Sequence, residues 1–355
     1  MLNEKIKYKK NNVNFKIKFI IPIMLIFLLI ITIMATAIGT VYVPFFNVVK
    51  IIMHNIGLPV SGNIDQMQDI IIFMVRFPRV IVAIFVGMAL AVSGAVMQGM
   101  FRNPMADPGI IGVSSGAGLG AVSAIALGLT AQSVYAMPVF ASIGAFGAVF
   151  LIYLLSQKNG KIPVMTLILS GIAVGTFISA ITSLVLSFIS KDQIQMFVFW
   201  SFGSLNGKRW DDVRLIILPI IVCTFFLLMF SRDLNVMMLG EEDAQAVGLN
   251  PSKTRRMLLI FVSIATASAV CISGAIGFVG LIVPHIMRLI VGPDNRILLP
   301  ASAIGGAIFL VACDLIARTV AMPTEIGVGI VTSLIGAPYF LFLLIRVKRE
   351  GGTLW

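Results

Sequence analysis

The run FIIPIMLIFLLIITIMATAI, residues 19–38, decides the class of this protein. It contains no charged side chain, and the stretch before it carries Lys5, Lys7, Lys9, Lys10, Lys16 and Lys18. An α-helix rises about 1.5 Å per residue and the hydrocarbon core of a bilayer is about 30 Å thick, so a run of this length crosses a membrane once. A basic region, an apolar run and then Ala35-Thr36-Ala37 also resemble a secretory signal with its cleavage site. The run is long for a signal and right for a span, so an uncleaved first transmembrane helix is expected.

The rest of the chain repeats the pattern. Of 355 residues, 59% are hydrophobic and only 12% charged. A soluble fold of that length could not cover its apolar surface with so little charge, so lipid is the solvent for most of the chain. Backbone polar groups in lipid must be satisfied within each segment, which makes every long apolar stretch a helix. The stretches fall near 19–40, 78–101, 108–128, 134–155, 163–189, 212–231, 254–275, 279–292, 298–317 and 326–345, predicting an all-α polytopic protein of about ten transmembrane helices. Gly112, Ser115, Gly116, Gly118 and Gly120 are small residues of the kind that bring helices close in lipid, so the spans should pack as one bundle.

The net charge of +11 does not point to nucleic acid, because the basic residues gather before the first span and at span ends. With both termini cytoplasmic, the six N-terminal lysines fall inside, with Arg102, Lys158, Lys161, Arg232, Lys253, Arg255, Arg256, Arg288, Arg296, Arg346, Lys348 and Arg349. Lys50, Arg76, Arg79, Lys191, Lys208, Arg209, Arg214 and Arg318 fall outside. The bias follows the positive-inside rule. Three units result: a basic cytoplasmic segment over 1–18, one transmembrane domain over 19–346, and a cytoplasmic tail over 347–355.

Chemistry of other kinds is not signalled. Cys223, Cys271 and Cys313 sit inside apolar segments without paired spacing and read as core; His54 and His285 have no metal-ligand pattern. Gly203 to Arg209 is one residue short of a Walker A loop and lacks its Ser or Thr. No catalytic residue, metal site or bound cofactor is therefore expected. If ATP drives the protein, a separate subunit binds it with its magnesium.

The longest polar interruption, about 232–256, has Leu239-Gly240-Glu241-Glu242-Asp243-Ala244-Gln245-Ala246-Val247-Gly248-Leu249 at its centre. Acidic residues suit the first turn of a helix and Gly248 its end, predicting a short helix. By composition it is either a solvated connector or a docking helix that presents its acidic start, Ala244 and Ala246 to a partner.

Several long motifs resemble the permease subunits of type II ABC importers, the FecCD-like, BtuC-like family that carries iron-siderophores, haem and cobalamin. They are Arg76-Phe-Pro-Arg79, the run Gly87 to Gln98, Phe101-Arg-Asn103-Pro104-Met-Ala-Asp107-Pro108-Gly109, the Gly240-Glu241 and Gly248-Leu249 pairs, Gly274 to Arg288, Leu298-Leu-Pro300 and Gly336-Ala-Pro338. The chain departs from the pattern at Asn295, Cys313 and Gly327.

The resemblance implies inverted repeats over spans two to five and seven to ten. It also implies a second permease copy as homodimer or pseudo-dimer, two cytoplasmic ABC ATPase subunits, an extracytoplasmic substrate-binding protein, and the bacterial cytoplasmic membrane as location. Carried over by motif, Gly240, Glu241, Glu242, Ala244 and Gly248 couple to the ATPases. Arg76, Arg79 and Arg318 dock the binding protein, and Asn103, Met105, Val164 and Met165 form the cytoplasmic gate. The bland alternatives are that the arginines anchor helix ends and that Arg318 pairs with Asp314 one turn earlier. A secondary transporter is the rival of another class, and it would need intramembrane ion ligands where only Asp314 qualifies.

Overall fold

A computed structural model describes residues 2–60, 64–157 and 162–350, with side chains described between 19 and 343 and at 345. The side chains of the N-terminal lysines, Arg346, Lys348 and Arg349, together with Lys158, Lys161 and the tail beyond 350, lie outside the described residues. All regular elements among the described residues are helical. Among the described residues, seven helices are long and apolar enough to cross a membrane, and three shorter apolar helices complete the expected ten.

We label these ten α1, Leu2–Ala37; α2, Phe77–Phe101; α3, Val113–Ala126; α4, Ala136–Ser156; and α5, Val164–Leu186. They continue with α6, Trp210–Met229; α7, Pro251–Ser273; α8, Val279–Val291; α9, Asn295–Thr319; and α10, Val328–Glu350. Helix α2 is the hub, buried along nearly its whole length, whereas α1 turns Ile23, Ile26, Phe27 and Leu29 outward. The three cysteines are buried in the core, as their apolar contexts suggested.

Two spans differ from the sequence expectation. Pro78 reads as a helix start, but the helical path begins at Gln66 and passes through a π-helical turn, Ile70–Arg76, before α2. A proline lacks an N–H and crowds the preceding turn, and the wider π turn relieves that crowding. The stretch expected as one helix over 108–128 is a 3-10 turn, Pro108–Ile111, followed by α3; Gly112 between them has φ 78°. A left-handed residue cannot lie inside an α-helix, so it ends one element and begins the next. The sequence reading also passed over three short helices between spans, Phe45–Asn55, Lys191–Ser201 and Ser231–Met237.

Helices α2–α5 and α7–α10 form inverted repeats, and the packing shows the exchange. Helix α2 packs on α9 as α7 packs on α4; α3 packs on α4 as α8 on α9; α2 packs on α8 as α7 on α3. Both short helices, α3 and α8, follow a residue with positive φ, Gly112 and Phe278. Close crossings use glycine: a side chain on Gly87 would meet the carbonyl of Gly306, and one on Gly116 that of Gly144. In lipid, where apolar burial gives no preference for helix over solvent, such backbone approach supplies the dispersion that holds helices together. A buried polar link joins α2 to α8, with Gln98 Nε2 donating to the Leu281 carbonyl at 3.0 Å and Arg288 donating to Gln98 Oε1 at 3.1 Å.

Candidate functional site

Polar side chains gather at the two ends of the bundle. At one end lie the C-terminus of α2 and the starts of α5 and α7; at the other lie the C-termini of α1 and α9 and the start of α2. Alternating helix direction puts the first end on the cytoplasmic side of the topology read from the charges.

At the cytoplasmic end the acidic stretch forms a helix, Glu241–Ala246, as expected. Gly248 N–H donates to the Gln245 carbonyl at 2.9 Å and Leu249 N–H to that of Ala244 at 3.0 Å. With Gly248 at φ 86°, this is a Schellman ending, in which the left-handed residue lets two orphan carbonyls find donors. Glu241, Glu242 and Gly248 are exposed. Ala244 is not: it is fully buried and turns toward the bundle, which corrects the expectation that it faces a partner. A small residue there lets the short helix lie close. Flanking the short helix, Leu239 and Val247 face outward, 65% and 68% exposed, and the sequence reading did not single them out.

Two arginines that the sequence reading did not assign to this site fasten the short helix to the bundle. Arg255, the fifth residue of α7, is buried, donates to the Ile162 carbonyl at 2.6 Å just before α5, and pairs with Glu241 at 2.5 Å. Arg102, in the left-handed position that ends α2, donates to the Met238 carbonyl at 3.1 Å. Arg102, Val164, Gly240, Glu241 and Arg255 line one cavity of about 200 Å³. Of the expected gate residues, Val164 therefore shares a cavity with the start of the acidic helix. Asn103, Met105 and Met165 are exposed at the same end, and Asn103 Oδ1 accepts from Met105 N–H at 2.9 Å to hold the turn after α2. The signal that could have found Arg255 is its place behind Asn250 and Pro251, an N-cap and first-turn proline that fix where α7 begins.

At the opposite end Arg76, Arg79 and Arg318 come together, but their guanidinium groups point inward rather than outward. All three are over nine-tenths buried. Arg79 donates to Asp314 through Nε at 3.0 Å and Nη2 at 2.8 Å and to Glu325 through Nη1 at 2.8 Å. Arg318 lies 3.7 Å from Asp314, so the expected pair one turn apart exists, while the closer partner of Asp314 is Arg79. Arg76 donates to the carbonyls of Ala37 at 2.7 Å and Val41 at 2.5 Å, and Arg318 donates to that of Ala35. The last carbonyls of a helix have no intrahelical donor and carry the negative end of its dipole, so two arginines cap α1 and tie it to α2 and α9. Glu325, in the loop before α10, was the carboxylate missed, although an acid next to a cluster of external arginines is a visible signal.

A central buried helix, two inverted sets of four helices to one of which it belongs, the additional helices α1 and α6, and an exposed acidic helix pinned to one end define a membrane permease. Its family follows from comparison: the chain belongs to the FecCD transport family, whose model matches residues 25–346. The chain is 48% identical to the cobalamin import system permease BtuC of Halobacterium salinarum, over 81% of this chain and 76% of the relative. It is 42% identical to the hemin transport system permease HmuU of Yersinia pestis, over 78% of this chain and 83% of that one. A metal-chelate type ABC transporter solved in an inward-facing conformation superposes with a TM-score of 0.81 at 34% identity, covering 92% of this chain and 99% of the other.

Proposed function

We propose that this chain is the membrane-spanning permease of a type II ABC importer that carries a bulky metal chelate, foremost an iron(III)-siderophore, into the cytoplasm by alternating access. The observation that carries this reading is the exposed acidic helix Glu241–Ala246, pinned by Arg102 and Arg255 to the ends of α2, α5 and α7. A helix so fastened transmits a push from a cytoplasmic partner directly to helices of both repeats. The partner is a pair of ABC ATPase subunits, which bind ATP and magnesium; Gly240, Glu241, Glu242 and Gly248 are their contact. Two permease copies flank the path, as a homodimer or with a homologous permease, in the bacterial cytoplasmic membrane. Asn103, Met105, Val164 and Met165 close the path on the cytoplasmic side, where the soft methionine side chains adapt to passing cargo.

An extracytoplasmic binding protein delivers the cargo at the end that holds Arg76, Arg79 and Arg318. Its acidic residues compete with Asp314, Glu325 and the α1 carbonyls for these guanidinium groups, since Arg makes bidentate, charge-assisted contacts to carboxylates. A second cargo reading, cobalamin, is favoured by the 48% identity to a cobalamin permease. Vesicles holding the permease, its ATPase and its binding protein, supplied in turn with ferric siderophore, haem and cobalamin, test the reading. One of the three should be taken up only with ATP, and failure of all three would overturn the proposed cargo class.

A further inference from the structure

A lateral groove between α4, α5 and α7 starts beside the cytoplasmic end and is separate from the cavity described there. It encloses about 600 Å³. Its α7 wall is Arg256, Leu259, Ile260 and Ser263, spaced as one helical face, and Phe150 and Tyr153 of α4 stand opposite. Seven residues separate Arg256 from Ser263, so the face runs about 10 Å along the helix from the cytoplasmic end toward the membrane interior. Phe150 and Ile260 are 63% and 45% exposed, so the groove opens sideways toward lipid.

The polar end of this apolar groove is Arg256. Its neighbour Arg255 is held through both Nη groups, by the Ile162 carbonyl and by Glu241, with only its Nε unmade. Arg256 has no such partners: its Nε is buried without a hydrogen bond, and among the described residues no carboxylate pairs with it. A buried N–H left unmade costs about 1–3 kcal/mol, so an acceptor that reaches Arg256 in the groove is bound favourably. An apolar channel ending in an unpaired cation at the level of the membrane surface complements one kind of molecule, an amphiphile with an alkyl chain and an anionic head. Basic pockets between transmembrane helices on the cytoplasmic side bind anionic headgroups for this reason.

We propose that the groove holds an acyl chain of one anionic phospholipid of the cytoplasmic leaflet, whose phosphate is bound by Arg256. The lipid would bridge α4 of the first repeat to α7 of the second. This inference rests on the membrane-spanning fold and not on the identity of the cargo.

Native mass spectrometry tests it on the full transporter in micelles containing equal phosphatidylglycerol and phosphatidylcholine. One phosphatidylglycerol per permease chain should be retained in preference to phosphatidylcholine, by about tenfold if the charged contact is worth about 1.4 kcal/mol. Arg256→Gln should remove the preference and Arg256→Lys should restore part of it. Ser263→Trp, which fills the groove, should reduce both lipids. The unfolding midpoint of each variant, measured without added lipid, shows that the fold is intact. Equal retention of the two lipids by the wild type, or an unchanged preference in Arg256→Gln, would overturn the proposal. Displacement of the adduct by millimolar inorganic phosphate would overturn it too, since Arg256 would then be reading a free anion. Ser263→Cys forming a disulfide between two permease copies would overturn it by assigning the groove to a protein interface.

Discussion

The two ends of the bundle hold comparable charges in opposite ways. At the cytoplasmic end the carboxylates are on display, with Glu241 56% exposed while its partner Arg255 is 4% exposed. At the external end the cations are hidden: Arg79, Arg318 and Asp314 are almost wholly buried, and Asp314 faces both guanidinium groups. Under the proposed function the cytoplasmic end is a surface always ready for its partner, and the external end a lock whose groups are released only by a competitor. An exposed ion pair contributes little stability, whereas a buried one contributes little net but is costly to break. The comparison thus predicts unequal responses to mutation.

The largest expected effect is at the external end. Asp314→Ala would leave the guanidinium groups of Arg79 and Arg318 buried without their shared carboxylate, and breaking such a pair costs about 3–5 kcal/mol. Thermal unfolding of the purified protein should show it as a marked drop in midpoint. A change as small as that of a surface mutation would mean that the cluster is already hydrated.

A middle effect is expected at the cytoplasmic end, and it separates the two members of one pair. Arg255→Gln loses a charge-assisted bond to the Ile162 carbonyl within the fold and should cost about 1–3 kcal/mol. Glu241→Gln, on the solvent side, should cost less than about 1 kcal/mol. Equal costs in the same unfolding assay would show that the pair acts as a buried unit and would erase the contrast between the ends.

A smaller effect belongs to Asp294, the N-cap of α9, which accepts from Arg296 N–H at 3.1 Å and from Asn235 at 2.8 Å. Partial burial alone would raise its carboxyl, but the hydrogen bonds from Arg296 and Asn235 outweigh burial and hold it down at about 2 against the ordinary 3.8. A carboxyl lowered on folding stabilises the fold fully above its ordinary value and loses that contribution as pH falls toward 2. Asp294→Asn should therefore cost about 1 kcal/mol near neutral pH. The gap from wild type should narrow between about pH 4 and pH 2 in unfolding measurements across that range.

The smallest effect on stability is expected at Glu325, whose side chain is 35% exposed. Glu325→Gln removes one competitor for Arg79, so affinity for the binding protein should rise several-fold at low salt. Weaker docking would place Glu325 in the contact itself.

Much of this architecture is legible in the sequence because lipid imposes a simple rule on each segment. The ten apolar stretches and the acidic helix ended by Gly248 follow from local composition alone. The π turn before Pro78 and the break at Gly112 do not, because each depends on which neighbour the segment must clear. The direction of the arginines was also hidden. Arg79 and Asp314 are 235 residues apart, and Arg76 is held by main-chain carbonyls of α1 that any sequence would provide. Position placed these arginines at the correct end; only packing shows which way they point.

The central claim is that force enters through the pinned acidic helix. It is tested most directly by ATP-dependent uptake in vesicles holding the permease with its ATPase and binding protein, compared between wild type, Glu241→Arg and a deletion of residues 240–249. The account predicts uptake by the wild type that needs ATP and ignores ion gradients, with both variants failing to assemble with the ATPase and to transport. Uptake and assembly that survive either change, or uptake driven by a proton or sodium gradient without ATP, would contradict it.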